Sequence, residues 1–298
     1  MFQEIDRGRR FLLGVPVDKI GKFQVLQTLG SGAHSSILHI RRDADGREYA
    51  LKMVPIDSKD DLKYLEQAKH EYRVGQMLNH PNLVKIHCLE TDAGWFSGPK
   101  KARLLIEYVP GKTMDKMPLL RMAKLLRVCE RIADGITHMH KQGVIHADLK
   151  PNNLIYIRGT QVKVLDYGLA WIKGEPKDRV QGTPEYMAPE TGSHKLINER
   201  TDIYNFGATM YRLGTLQLPP LAIELPNALP VTEKSFHKEF VPARQRNPML
   251  PEPFGDLIDQ CLSFNANKRP ERMSEIQGVL DQLADEAAAQ CDPAELEE

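Results

Sequence analysis

Cysteine is scarce in this chain: four in 298 residues, at Cys88, Cys129, Cys261 and Cys291. They form no CxxC pair and no zinc-ligand spacing, which fits reduced thiols better than a disulfide framework. Reduced thiols in a cytoplasmic compartment are the expectation. Long apolar runs are missing as well, and no stretch reaches the roughly 18 apolar residues of a spanning helix. The first residues carry Glu4, Asp6, Arg7, Arg9 and Arg10, which leaves no apolar centre for a secretory leader. Net charge is also lacking, since 40 basic side chains balance 40 acidic ones, and nothing points to nucleic acid. What is there is a 41% hydrophobic fraction, too high for disorder, interrupted by 27% charged residues, too many for a membrane protein. The length suits one large domain or two lobes.

The first 90 residues read as strands with one helix. Phe23, Val25 and Leu29 fall on alternate positions of a half-buried strand. A run from Ser36 to Arg41, an Asp45-Gly46 turn and the stretch Tyr49 to Val54 follow. Ser58 and Asp61 open a helix whose apolar stripe is Leu65, Ala68, Tyr72 and Leu78, ended by Asn79-His80-Pro81-Asn82. Strands are predicted over Leu83 to Leu89 and Ala102 to Val109. Beyond Gly111 the period is helical: Leu125, Cys129, Ile132, Ile136 and Met139 recur on one face, with Gly143 placed as a C-terminal cap. Ser274 and Gln277 have capping-box spacing ahead of Ile276, Leu280 and Leu283. The proline-rich stretch 216–253 cannot be one long helix. Asp285 to Glu298 read as a frayed acidic tail. A small strand-rich lobe thus precedes a larger helical one.

Four places carry chemistry. In Leu29-Gly30-Ser31-Gly32 the two glycines let a turn approach a polyphosphate, although a plain glycine hairpin has the same pattern. A strand rather than a helix follows, which argues against a dinucleotide-binding turn. Lys52, in Ala50-Leu51-Lys52, is a solvated charge or, paired with Glu71, an ammonium fixed against phosphates. In His146-Ala147-Asp148-Leu149-Lys150-Pro151-Asn152-Asn153, Asp148 offers a carboxylate for an attacking hydroxyl and Lys150 a cation for the transferred group. Asn153 and Asp166 of Asp166-Tyr167-Gly168 offer oxygen ligands to magnesium.

From about Phe23 to Leu283 the chain resembles a eukaryotic-type protein kinase of the serine/threonine type. To the motifs above it adds His80-Pro81-Asn82, hinge-like Glu107-Tyr108-Val109, Gly182-Thr183-Pro184-Glu185 running to Ala188-Pro189-Glu190, Asp202, and Arg269-Pro270. The resemblance implies an α+β, two-lobed fold: an extension over 1–22, a strand-rich lobe with one key helix over 23–110, a mainly helical lobe over 111–284, and an acidic tail over 285–298. It implies transfer of the γ-phosphoryl of Mg-ATP to a Ser or Thr hydroxyl of a protein. Asp148 would be the base, Lys150 the phosphate-contacting lysine, and Asn153 and Asp166 the Mg2+ ligands. Leu29, Gly30, Gly32, Lys52 and Glu71 would serve the nucleotide. Adenine would stack among Ile37, Ala50 and Ile155 and bond the backbone of Glu107 and Val109, with Ile106 as gatekeeper. Asp202 would tie down the catalytic loop, and Glu190 would pair with Arg269.

A pseudokinase scaffold should have lost Lys52, Asp148 or Asp166. A small-molecule phosphotransferase should lack Thr183 to Glu190, Asp202 and Arg269. Three positions depart from the family pattern: Ser35 for the third loop glycine, Ala147 for the arginine before the catalytic aspartate, and Gly75 for a bulky apolar residue. Gly75 is expected to leave a gap beside the Glu71 helix. Leu169 to Gln181 contains no Ser, Thr or Tyr, so activity without activation-loop phosphorylation is expected. The 217–253 region, with Lys234, Lys238, Arg244 and Arg246 against Glu233 and Glu239, is a candidate docking surface for acidic protein segments, with a solvated loop as the alternative.

Overall fold

The computed structural model describes residues 11–12, 15–16, 19–32, 34–94, 98–176, 181–194, 196–224 and 231–290. Most of the 1–22 extension and the end of the acidic tail lie outside these residues. Two compact units emerge, one comprising the chain through Asn79 with Val84–Val109, the other His80–Leu83 with the chain from Pro110.

The first unit is an antiparallel sheet built from Lys19–Ile20, β1 (Phe23–Gly32), β2 (Ser35–Arg42), β3 (Glu48–Pro55), β4 (Ile86–Gly94) and β5 (Gly98–Glu107). The strand order places β5 between β3 and β4. Leu38, Ile40, Tyr49, Leu51 and Met53 share one buried face with Phe23, Val25 and Leu105. Leu29 departs from the expected alternation and is 43% exposed. Register shifts at Val25/Gln27 before it and at Thr28/Gly30 across it break the period of two. Ser58 and Asp61 begin the helical segment as expected, the Asp61 carboxylate accepting the Ser58 N–H at 2.9 Å ahead of α1 (Leu62–Met77). The buried stripe of α1 runs through Leu65, Ala68, Glu71, Val74 and Gly75, with Tyr72 only half-buried. The strand expected at Leu83 begins instead at Ile86, because Leu83 makes a parallel bridge to Val164 in the second unit.

The second unit is mainly helical. Helix α2 (Met122–Lys141) buries Leu125, Cys129, Ile132, Ile136 and Met139, and Gly143 ends it at φ 72°, its N–H donating to the His140 carbonyl. Short strands β6 (Val144–Ile145), β7 (Leu154–Tyr156), β8 (Val162–Val164) and β9 (Trp171–Ile172) follow. Helix α3 (Glu199–Thr215) is buried along most of its length, and α4 (Glu252–Cys261) and α5 (Met273–Ala288) complete the unit. Ser274 is not the N-cap of α5. The helix opens two residues earlier, with Arg272 at the cap and the Glu275 carboxylate accepting the Glu271 N–H. The acidic end does not fray at Asp285, because Arg127 binds both Asp281 and Asp285 and the helix continues to Ala288. Prolines break the 216–253 stretch into short helices at Glu233–Glu239 and Ala243–Arg246, with 225–230 outside the described residues. Among the described residues no helix is long and apolar enough to cross a membrane.

Candidate active site

In the first unit the β1–β2 hairpin pairs Gly30 with Ile37 and Gly32 with Ser35, while Ala33 at its tip lies outside the described residues. A Cβ built on Gly30 meets nothing within 4 Å, so internal packing does not demand this glycine. Its missing side chain leaves room for a close approach to the backbone. One strand further, Ile37 faces Lys52 and Ala50 faces Ile106. Lys52 points to the face opposite Leu51 and Met53, as the strand period requires. There its Nζ donates to Glu71 Oε2 at 2.7 Å, the two side chains being 17% and 3% exposed. Removing either partner would strand a charge with little solvent. At the end of β5 the Glu107 N–H donates to the Lys85 carbonyl, and its carboxylate accepts the Lys85 N–H.

The gap expected beside Gly75 does not exist. A Cβ placed there would stand 2.8 Å from both Cβ and Cδ1 of Ile86. Gln76 Nε2 donates to the Ile86 carbonyl at 2.7 Å, closing the same contact. Glycine therefore lets α1 lie close on β4, and Ile86 occupies the space a large side chain would take.

In the second unit the segment His146–Asn153 is folded around Asp148. Oδ1 accepts the Thr183 N–H at 3.0 Å and the Thr183 hydroxyl at 2.9 Å. Oδ2 accepts from Lys150 Nζ at 2.7 Å and from Asn153 Nδ2 at 3.3 Å. Asn153 Nδ2 also donates to the Asp148 carbonyl, and Lys150 reaches the Thr183 hydroxyl. Thr183 thus bridges the loop to the segment that leads to Glu190. Asn153 and Asp166 come to one end of the β7–β8 hairpin, where Leu154 pairs with Val164 and the Leu165 N–H donates to the Asn153 carbonyl. Asp166 is exposed at φ 62°, its carboxylate accepting the Gly168 N–H at 3.2 Å.

This loop needs external support, because Ala147 too has a left-handed φ of 63°, unfavourable for a residue with a Cβ. Asp202 supplies it from α3. The fully buried carboxylate accepts the N–H of His146 and of Ala147, each at 2.8 Å, and contacts His140 Nε2 at 2.8 Å. Burial pushes the Asp202 carboxyl up, but the His140 hydrogen bond, the neighbouring imidazoles and the Ala147 amide together hold it below the ordinary carboxylate value. Sequence reasoning did not find His140; nothing in its local pattern distinguishes it from the other polar residues of α2. A second support is the bidentate pair of Arg269 with Glu190, at 2.8 and 2.9 Å. The guanidinium also donates to the carbonyls of Ser263, Arg200 and Phe264 and lies 4.8 Å from the Tyr204 ring centroid.

Where the family pattern has an arginine, Ala147 makes an apolar contact. Ala147 packs with Ile145 and Ile197, and Trp171 lies against them. Strand β9 pairs with β6, Trp171 opposite Ile145 and Ile172 opposite Val144. The Trp171 indole N–H donates to the Glu175 carbonyl at 2.9 Å. Residues 177–180 of the hydroxyl-free stretch lie outside the described residues.

A family model for the protein kinase domain matches residues 23–280. The serine/threonine-protein kinase pkn2 of Myxococcus xanthus is 31% identical over 281 residues, covering 87% of this chain and 32% of that protein. The serine/threonine-protein kinase PrkC of Bacillus subtilis is 26% identical over 247 residues, 80% of this chain and 37% of its own. CBL-interacting protein kinase 8 of Oryza sativa is 29% identical over 264 residues, 86% of this chain and 56% of its own. The chain spans about a third of the length of the first two of these relatives.

Proposed function

Because this chain belongs to the protein kinase domain family, we propose that it transfers the γ-phosphoryl group of Mg-ATP to a serine or threonine hydroxyl of a protein. The observation that carries this reading is the Asp148 cluster. A buried carboxylate, a lysine within 2.7 Å of it and an amide side chain share one loop, which Asp202 holds in a conformation the backbone does not favour.

Each residue then has a task. Asp148 orients the substrate hydroxyl and takes its proton as the oxygen attacks. Lys150 neutralises charge on the group in transfer. Lys52, held by Glu71, secures the phosphates, and Gly30 and Gly32 let the β1–β2 hairpin approach them. Ile37, Ala50 and Ile155 contact the adenine, with the backbone of Glu107 and Val109 as its polar partners; Leu29 lies on the same strand as the glycines. Asn153 and Asp166 would hold Mg2+, which when bound offsets negative charge on the phosphates. Two protein oxygen ligands suit magnesium, which keeps water and phosphate oxygens for its remaining positions. Among the described residues no group of three or more His, Cys, Asp and Glu side chains competes as a metal site.

Docking of acidic protein segments through 217–253 belongs to the same proposal, supported by the exposure of Lys234, Lys238, Arg244 and Arg246. A cytoplasmic setting belongs to it too, supported by the free, buried thiols of Cys129 and Cys261. The test is incubation of the pure protein with γ-labelled ATP, Mg2+ and a generic basic protein, followed by phosphoamino-acid analysis. Label on serine or threonine is expected. Label confined to a small molecule or to released phosphate would refute the assignment.

A further inference from the structure

The hinge-like segment Glu107–Val109 carries an aromatic side chain that the chemistry above does not use. Tyr108 stacks on His39 of β2, ring centroids 3.6 Å apart and planes 12° from parallel. His39 is buried and held from both ends. Its Nε2 lies 2.9 Å from Glu48 Oε2, and its Nδ1 lies 3.3 Å from Gln27 Nε2. Both ring nitrogens thus have a side-chain partner. The register shift at Val25/Gln27 is what brings Gln27 opposite His39. On its other side His39 pairs with Ala50, and it lies two residues from Ile37 on the same strand. Directly opposed residues, and residues two apart on a strand, share a face, so His39 stands on the face of Ile37 and Ala50.

We infer that His39 is a positioning residue for nucleotide: clamped between Gln27 and Glu48, it stacks on Tyr108 and so fixes the backbone of Glu107 and Val109 where adenine is bound. This rests on the kinase reading above. The imidazole does not touch the reacting groups. Its loss should weaken nucleotide binding and leave the transfer step alone.

The experiment measures ADP affinity by calorimetry, KM for ATP, kcat at saturating ATP, and the nucleotide-free melting temperature of wild type, His39→Ala, His39→Phe, Tyr108→Leu and the double variant His39→Ala/Tyr108→Leu. Loss of one stacked pair should raise the ADP Kd and the ATP KM by about threefold to tenfold in His39→Ala, with kcat unchanged. His39→Phe keeps a ring and should recover most of that loss. The double variant should be no worse than the weaker single one, because both remove one contact. Equal affinity in wild type and His39→Ala, a His39→Phe as weak as His39→Ala, or additive losses in the double variant would overturn the inference. If His39→Ala does not fold, Tyr108→Leu alone decides through the same KM and kcat split. A folded wild type that binds no ADP would overturn the kinase reading itself, and the inference with it.

Discussion

Four hydrogen-bond donors converge on the Asp148 carboxylate, and two amides with one imidazole converge on Asp202. The two carboxylates do different work. Asp148 faces the segment that carries Thr183, whereas Asp202 is fully buried and holds the loop from behind. Asp202→Asn removes the charge from both contacts, leaves one of the two loop amides facing an NH2 donor, and should lower stability by about 2–4 kcal/mol at neutral pH, read by denaturant unfolding. The sign of its pH dependence follows from the lowered folded pKa. Such a group adds stability that is complete above its unfolded value, about 3.9, and is lost as pH falls through the lower folded value. The difference between wild type and Asp202→Asn should therefore be constant near neutrality and shrink under acid below about pH 4. A difference that grows on acidification would contradict the assignment. Residue types and spacing singled out Asp148, Lys150 and Asn153, and Lys52 with Glu71, and the structure places each set in hydrogen-bond contact. His140 was not legible, since its role depends on α2 and α3 being side by side.

Helix α1 lies close on β4 because Gly75 has no side chain to hold it away from Ile86. Gly75→Leu should therefore destabilise the first unit rather than tighten it. Overpacking of this kind costs about 1–3 kcal/mol and should appear as a lower melting temperature. Adding Ile86→Ala should recover part of that loss, because it empties the space the leucine needs. A Gly75→Leu variant that melts at or above wild type would show that the helix can shift freely. Sequence reasoning found the helix and its start but not this contact. A glycine on a buried stripe reads as a gap until the residue opposite it is known. The same limit applies to Leu29, whose exposure follows from register shifts that hydrophobic period cannot reveal. Ser274 misled for a different reason: the spacing for a capping box was present, but the Glu275 carboxylate closed the turn upstream of it. Ser274→Ala should accordingly change thermal stability little.

Regulation is a property of the whole molecule, and here the loop chemistry points away from a phosphate switch. The segment Leu169 to Gln181 has no hydroxyl, and Ala147 lies in an apolar contact with Ile145, Ile197 and Trp171. Apolar packing stabilises this junction whether or not phosphate is present. Phosphatase-treated protein should keep its transfer rate, while Trp171→Ala should lower it by loosening the β6–β9 pair. A large loss after dephosphorylation, restored by phosphate mapped between Asp166 and Glu190, would contradict this. Ala147→Arg should not create a switch; it would bury a guanidinium among apolar side chains and destabilise the second unit. The proposed docking surface is tested at the same scale. Reversing the charges of Arg244 and Arg246 should raise KM for the protein substrate and leave KM for ATP unchanged, and an unchanged protein KM would remove that surface from the account. Both are exposed, although the Arg244 stem also lies over Gly255.

In the proposed mechanism Asp148 acts on the acceptor hydroxyl while Asn153 and Asp166 serve the magnesium-bound nucleotide, and one comparison separates the two roles. Transfer from γ-labelled ATP and Mg2+-dependent ATP affinity should be measured together for wild type, Asp148→Asn and Asp166→Asn. Asp148→Asn should bind Mg-ATP as wild type does and transfer at well under about a tenth of the wild-type rate, whereas Asp166→Asn should lose Mg2+-dependent affinity. An Asp148→Asn protein that keeps more than about a tenth of wild-type turnover would contradict the proposed mechanism.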